Sequence, residues 1–221
     1  QQELLNIVIV GGGATGIEGA GILSEMKRFV LPNDYPDMPG NLMHIYLIEA
    51  GSRLLAGMSE DSSAHAEKFL REMGVNILLN KRVVDYRDHK VILEDGTEIA
   101  TRTFIWVSGV TGVTIGNLDA SLIGRGGRIK VDRFNRVEGM DNVFAIGDQC
   151  ILSGDESYPN GHPQLAQVAI QQGELLAKNL IRLQKGQEMK PFHYRNLGSM
   201  ATVGRNRAVA EFSKVKMQGW F

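Results

Sequence analysis

The feature that most constrains this chain is a glycine turn set between a strand and a helix. Leu4–Val10 (LLNIVIV) is a short, β-branched, almost continuous apolar run, the pattern of a strand buried on both faces of a parallel sheet. Gly11-Gly12-Gly13-Ala14-Thr15-Gly16 follows directly, and a helical pattern runs from about Gly16 to Phe29. In Gly11-x-Gly13-x-x-Gly16 each glycine has a physical task. Gly11 permits the tight turn, Gly13 lets a pyrophosphate come close to backbone, and Gly16 allows tight helix–strand packing. The free N–H groups at the helix N-terminus then suit an anion. The turn taken alone is also that of a plain tight βα connection.

A second apolar strand, Met43–Ile48, ends on Glu49, and a carboxylate there suits the adenosine ribose hydroxyls and repels a 2′-phosphate. This favours NADH over NADPH. Glu49 stands 33 positions after Gly16, against roughly 20 in the usual fingerprint. Pro32, Pro36, Pro39 and Gly40 mark residues 30–42 as loop or broken helix and account for the excess. Arg53 is the competing residue, since it could hold a 2′-phosphate. Glu18, in the first helical turn, has two readings from position: an acid favoured by the helix dipole, or a contact to the nicotinamide end of the cofactor.

Further along, Ser59, Asp61 or Ser62 caps a helix reaching about Met73, closed by Gly74, and Val75–Leu79 is a third strand. Arg82–Tyr86, Lys90–Leu93 and Glu98–Thr103 alternate around Glu94-Asp95-Gly96, an antiparallel meander laid on the Rossmann sheet. Phe104–Val107 is a further buried strand, ending at Ser108-Gly109-Val110, and residues 111–127 are a glycine-rich connection. Arg128–Val131 and Asn142–Ile146 are expected as short strands, Pro163–Leu183 as a helix, and residues 191–213 as strands with tight turns.

Composition bears on partners. A formal net charge of −1 gives no electrostatic footprint for nucleic acid. Cys150 is the single cysteine, so neither an internal disulfide nor a CxxC motif exists, which fits a reduced, cytoplasmic setting. His44, His65, His89, His162 and His193 are scattered without metal spacing, and no metal is expected. His162, beside Pro163 at an expected helix start, is read first as structural and second as a neighbour of a flavin pocket.

Several segments together resemble a family. Gly11-Gly12-Gly13-Ala14-Thr15-Gly16-Ile17-Glu18-x-Ala20, Glu49-Ala50-x-x-Arg53-Leu54-Leu55 and Trp106-Val107-Ser108-Gly109-Val110 resemble the NAD-domain signatures of type II NADH dehydrogenases, the single-chain NADH:quinone oxidoreductases. Asn142-Val143-Phe144-Ala145-Ile146-Gly147-Asp148 resembles the second FAD signature of the wider glutathione-reductase-like class. Pro163-Gln164-Leu165-Ala166-Gln167-Val168-Ala169-Ile170-Gln171-Gln172-Gly173 resembles the AQxAxQ segment lining the flavin and quinone region.

The resemblance implies an α/β fold: a Rossmann-like NAD-binding domain over 1–115, the C-terminal portion of an FAD-binding domain over 116–190, and a C-terminal β segment over 191–221 leading to a membrane anchor. It implies NADH and FAD as cofactors, with Gly147 and Asp148 facing the FAD pyrophosphate and ribityl chain. Gln164, Leu165, Ala166 and Gln167 would lie against the isoalloxazine. Gln167 and Gln171, four apart on one helix face, would border a quinone headgroup, and Glu18 would sit near nicotinamide and flavin. Only one GxGxxG is present, so the chain is read as a fragment lacking the N-terminal FAD segment and the anchor, able to bind NADH but catalytically incomplete. Lys214 and Lys216 before Trp220 and Phe221 read as the start of an interfacial segment. That places the full-length protein peripherally on the inner face of the cell membrane, with homodimer formation possible. The alternatives are a sulfide:quinone or disulfide reductase on the same scaffold, and a non-catalytic NADH-binding or redox-sensing module.

Overall fold

Asn6–Val10 (β1) is buried at all five positions and lies inside a parallel sheet, as its unbroken apolar run requires. The computed structural model describes residues 2–37, 42–113, 115–212 and 215–219. The chain divides into two compact units, Gln1–Gly109 with Gly198–Phe221, and Val110–Leu197. These boundaries differ from 115/116 and 190/191, and the C-terminal strands return to the first unit.

In the first unit, a short helix α1 (Gln2–Leu5) precedes β1. After the glycine turn comes α2 (Ala14–Glu25), continued by a π-helical turn over Met26–Val30 and by α3 (Leu31–Asp34). The helix therefore starts two residues earlier than expected, and helical backbone runs on through Pro32 to Asp34, inside the stretch expected as loop or broken helix. β2 (His44–Ile48), α4 (Glu60–Glu72) and β3 (Val75–Leu78) follow. Of the three capping candidates Ser59 is the N-cap, and Gly74 ends the helix at φ +83°. The meander is β4 (Val83–Arg87), β5 (Lys90–Leu93) and β6 (Glu98–Ala100), and the chain returns as β7 (Thr103–Trp106). The parallel sheet has the order β3-β2-β1-β7.

Its two faces are covered differently. Val8, Val10 and Ile48 pack on Val91, Leu93 and Ile99 of the meander. On the opposite face Ile7, Ile9, Ile45 and Leu47 meet Ile17 and Ala20 of α2, Ala66 and Leu70 of α4, and Ala201, Val203 and Val209. The last three come from the antiparallel sheet of β10 (Ser199–Thr202), β11 (Ala208–Phe212) and β12 (Val215–Gly219), numbered past two strands of the other unit described next.

The second unit contains β8 (Ile129–Val131), β9 (Cys150–Leu152) and the long α5 (Ala166–Gln184). Three expectations need correction here. Asn142–Ile146 is extended but is not a strand: it makes one isolated bridge, Phe144 to Arg136, and β8 takes β9 as its parallel partner. A short, largely apolar run does not distinguish a ladder from an extended loop. Pro163–Leu165 is not helical, because Leu165 is an extended N-cap and Gln164 Nε2 is drawn to Asp148 O at 3.2 Å. Residues 191–198 form no strand either, since the backbone of Arg195 and Leu197 bonds to side chains of α5. No described helix is long and apolar enough to cross a membrane. Lys214, Trp220 and Phe221 lie outside the described residues; Lys216 is in β12.

Candidate functional site

The glycine turn has the close approaches its glycines were expected to serve. A Cβ on Gly11, whose φ is +118°, would stand 2.9 Å from the Ser108 backbone, so only glycine lets β1 and the end of β7 converge there. A Cβ on Gly16 would stand 1.9 Å from Gly11 O, which is the tight helix–strand packing in atomic terms. Gly13 is different. It is the N-cap of α2, exposed, with ordinary φ, and a Cβ there would meet nothing within 4 Å. Packing of the fold gives no reason for glycine at 13, whereas an approaching ligand does. Ala14 and Thr15 are exposed beside it and Gly16 is buried. α2 has no side-chain cap on Gly13 and no acid in its first turn, leaving its first amides available to an anion.

Glu49 is built into this turn. Its Oε2 accepts from Gly12 N at 2.6 Å and its Oε1 from Gly51 N at 2.6 Å. An ionised carboxylate offers about four lone-pair directions, so both oxygens retain acceptor capacity. Arg53 is turned away to other work: its guanidinium donates to the carbonyls of Met58 and Ala56 at 2.8 Å each. Sequence reading missed this loop-fastening role, for which the only signal was an arginine in a segment short of other caps. Glu18 is half-buried and its Oε1 accepts from Thr202 N at 3.3 Å, so it also ties α2 to β10. Ser108 and Gly109, at the end of β7, are exposed, and Gly109 has φ +86°.

The second unit gathers its own group. Gly147–Gln149 forms a 3-10 turn, entered at Gly147 with φ +64° and with Asp148 exposed. A Cβ on Gly147 would lie 3.2 Å from that of Ala169. Gln172, 1% exposed, accepts from Gly147 N at 2.7 Å and contacts the Cys150 sulfur at 3.5 Å through Nε2. The sequence pattern does not single out Gln172 from its neighbours; its place on the buried face of α5 does. Gln164 bonds Asp148 O, Leu165 and Ala166 are exposed, and Val110 is exposed. Gln167 Oε1 accepts from Leu197 N, and Gln171 pairs with the backbone of Arg195.

Two titratable side chains here are structural. Cys150 is 1% exposed, and burial pushes its thiol pKa up despite hydrogen bonds from Gln172 and Asn135 and the nearby Arg128 charge. Such a thiol is a poor nucleophile. His162 is 2% exposed among Tyr158, Phe192 and Tyr194, with Nε2 3.0 Å from Asp155 Oδ2. Burial pushes its pKa down, outweighing Asp155.

A family model for pyridine nucleotide-disulphide oxidoreductases matches residues 1–173. The chain belongs to the pyridine nucleotide-disulphide oxidoreductase family. Within this family it is similar to the type II NADH:quinone oxidoreductase of Mycobacterium tuberculosis, 32% identical over 100% of this chain and 48% of the relative. It is also similar to that of Haemophilus influenzae, 31% identical over 96% of this chain and 48% of the relative. An internal alternative NAD(P)H-ubiquinone oxidoreductase of Arabidopsis mitochondria is 34% identical over 98% of this chain and 44% of the relative. The chain thus spans about half the length of these curated relatives. Among solved structures, NDH2 from Plasmodium falciparum in complex with NADH matches with a TM-score of 0.86, covering 99% of this chain and 59% of that one. At 19% identity this shows a shared fold.

Proposed function

We propose that this chain carries the NADH-binding domain and part of the flavin-binding domain of a flavin-dependent NADH:quinone oxidoreductase. The observation that carries this reading is Gly13: an exposed glycine in a strand–turn–helix, unneeded by the fold, beside a carboxylate held in place by two backbone amides.

The residues present fit the two cofactors. The amides at the start of α2 would take the NADH pyrophosphate, helped by the helix dipole. Glu49 would accept from the adenosine ribose hydroxyls with the lone pairs its amide partners leave over, and would repel a 2′-phosphate. With Arg53 bonded to carbonyls, the turn favours NADH. Glu18 would stand at the nicotinamide end. Gly147 would let backbone approach the flavin pyrophosphate and Asp148 would bond the ribityl hydroxyls, with Gln164–Gln167 against the ring system. When bound, the flavin supplies the two-electron chemistry that accepts a hydride from NADH and delivers electrons to a quinone. The protein supplies position and electrostatics and no nucleophile, which agrees with the inert environment of Cys150. The complete protein is expected at the inner face of the cell membrane, which liposome flotation tests.

The first experiment is a calorimetric titration of the chain with NADH and, as the matched control, NADPH. Saturable NADH binding with a clear preference supports the reading. Binding of neither overturns it.

A further inference from the structure

The chain leaving β3 runs beside the end of β2. Lys81 N donates to Glu49 O at 3.1 Å and Asn80 N to Gly51 O at 2.9 Å, so residues 80–82 are fixed next to Glu49. They stand at the carboxyl ends of neighbouring parallel strands, where open α/β sheets take their ligands. The turn between β5 and β6 closes the other side. Glu94 N donates to Arg82 O at 2.9 Å, and Asn80, Lys81, Arg82, Glu94 and Asp95 line an open cleft of about 310 Å³. Both cations of this cleft are matched by acids. Lys81 Nζ donates to Asp95 Oδ2, whereas Arg82 Nε stands 3.8 Å from Glu94 Oε2, with both of the latter side chains exposed. Asp95 also accepts from Thr97 N at 3.0 Å, and these bonds, Lys81 first, hold its carboxyl well below the usual carboxylate range. Around the end of β2 there are thus three acids, Glu49, Glu94 and Asp95, and the nearest cations are committed: Lys81 and Arg82 to acids, Arg53 to carbonyls.

Resting on the function proposed above, we infer that Lys81 is a specificity-determining residue of the dinucleotide site, a cation beside the adenosine ribose that Asp95 withholds from a 2′-phosphate. The backbone of Lys81 is fixed by Glu49 O, while its ammonium sits on a flexible four-carbon stem and changes partner without moving that backbone. NADPH is therefore refused twice, by repulsion from the Glu49 carboxylate and by the commitment of Lys81 to Asp95. NADH lacks the 2′-phosphate and is indifferent to the pair. Asp95 belongs to the meander and acts on the cofactor only through Lys81, so specificity is set partly by a turn outside the glycine loop.

Calorimetric titration of Asp95→Asn with NADH and with NADPH tests this. Asparagine keeps an oxygen for Thr97 N, so the turn is preserved while the charge that engages Lys81 is gone. NADPH affinity is expected to rise roughly five-fold at low salt, with NADH affinity changed less than about two-fold. The gain should shrink at about 0.5 M salt, because the new contact is an exposed ion pair. Removing an acid also relieves repulsion on any anion, and a second variant separates the two effects. Lys81→Met placed on Asp95→Asn should abolish the gain. A gain that survives Lys81→Met would come from the lost acid alone and overturn the inference. An Asp95→Asn protein that binds NADH normally, with NADPH affinity unchanged, would overturn it as well and leave the proposed function standing. A wild-type chain that binds neither dinucleotide would overturn the proposed function and the inference with it.

Discussion

The backbone amide of Gly12 donates to Glu49 Oε2 at 2.6 Å, so the acid at the end of β2 is a structural part of the glycine turn it was expected only to face. Gly51 N makes the equivalent bond to Oε1. Replacing Glu49 by Ala leaves two amides without an acceptor and should cost about 2 kcal/mol of stability in denaturant unfolding. Glu49→Gln keeps one carbonyl oxygen and should cost less, while narrowing the preference for NADH over NADPH, read by calorimetric titration. If Glu49→Gln keeps the full preference, the ribose role of Glu49 is wrong.

Gly13 and Gly16 should separate ligand binding from folding. Gly13→Ala meets nothing within 4 Å at ordinary φ, so thermal stability should stay within about 0.5 kcal/mol. NADH affinity should drop about ten-fold or more as the added methyl occupies the pyrophosphate's approach. Gly16→Ala forces a Cβ to 1.9 Å from Gly11 O and should destabilise the fold by about 3 kcal/mol or prevent its expression. Unimpaired NADH binding in Gly13→Ala would remove the pyrophosphate from this turn.

Glu211 ties the C-terminal sheet to the start of α4. Its Oε1 accepts from Ser59 N at 2.9 Å, from Ser62 Oγ at 2.6 Å and from Ser59 Oγ. Burial would raise its pKa, but the hydrogen bonds from Ser59 and Ser62 outweigh it and hold the carboxyl below its usual 4.5. A carboxylate depressed in the folded state contributes stability that is present above pH 4.5 and is lost as pH falls through the lower folded value. Glu211→Gln should lose about 1 kcal/mol at neutral pH, after allowance for partial exposure, and should unfold with a shallower acid limb. Identical acid limbs for the two proteins would contradict this.

His162 should give a second pH window. Burial holds its pKa below the usual 6.5, so the unfolded chain binds the proton more readily. Stability is full above about pH 6.5 and declines as pH falls from there toward the folded value. His162→Phe fits the surrounding aromatic rings and removes the unpartnered Nδ1. Its unfolding midpoint should be flat across that window while the wild type declines, as urea titrations at stepped pH would record. A wild-type profile as flat as the variant's would place His162 outside the pH response.

The second unit shows where local pattern stops being informative. Asn142–Ile146 reads as a strand because it is short and apolar, yet β8 chose Cys150–Leu152, beyond a turn whose positive-φ glycine no periodicity announces. Pro163–Leu165 stays outside the helix after it, with Leu165 its extended N-cap and Gln164 bonded to Asp148 O. In both cases the deciding partner is distant in sequence.

What the amino-acid order determined by itself is the part of the protein governed by neighbouring residues. β1, its glycine turn, α2, a cap among Ser59, Asp61 and Ser62, and the meander follow from burial on two faces, from φ and Cβ limits at glycine, and from local hydrogen bonding. Tertiary structure alone decided which polar groups are already engaged. Glu49, suited to ribose hydroxyls, and Arg53, able to hold a 2′-phosphate, are four residues apart and compete in the sequence alone. In the fold one is held at the turn by Gly12 and Gly51, and the other is spent on the carbonyls of Ala56 and Met58. Gln171 likewise reads as a free side chain on an exposed helix face until the chain returns and its backbone takes both ends of the amide. A buried or half-buried polar atom needs a partner, and that partner is supplied only when remote segments meet.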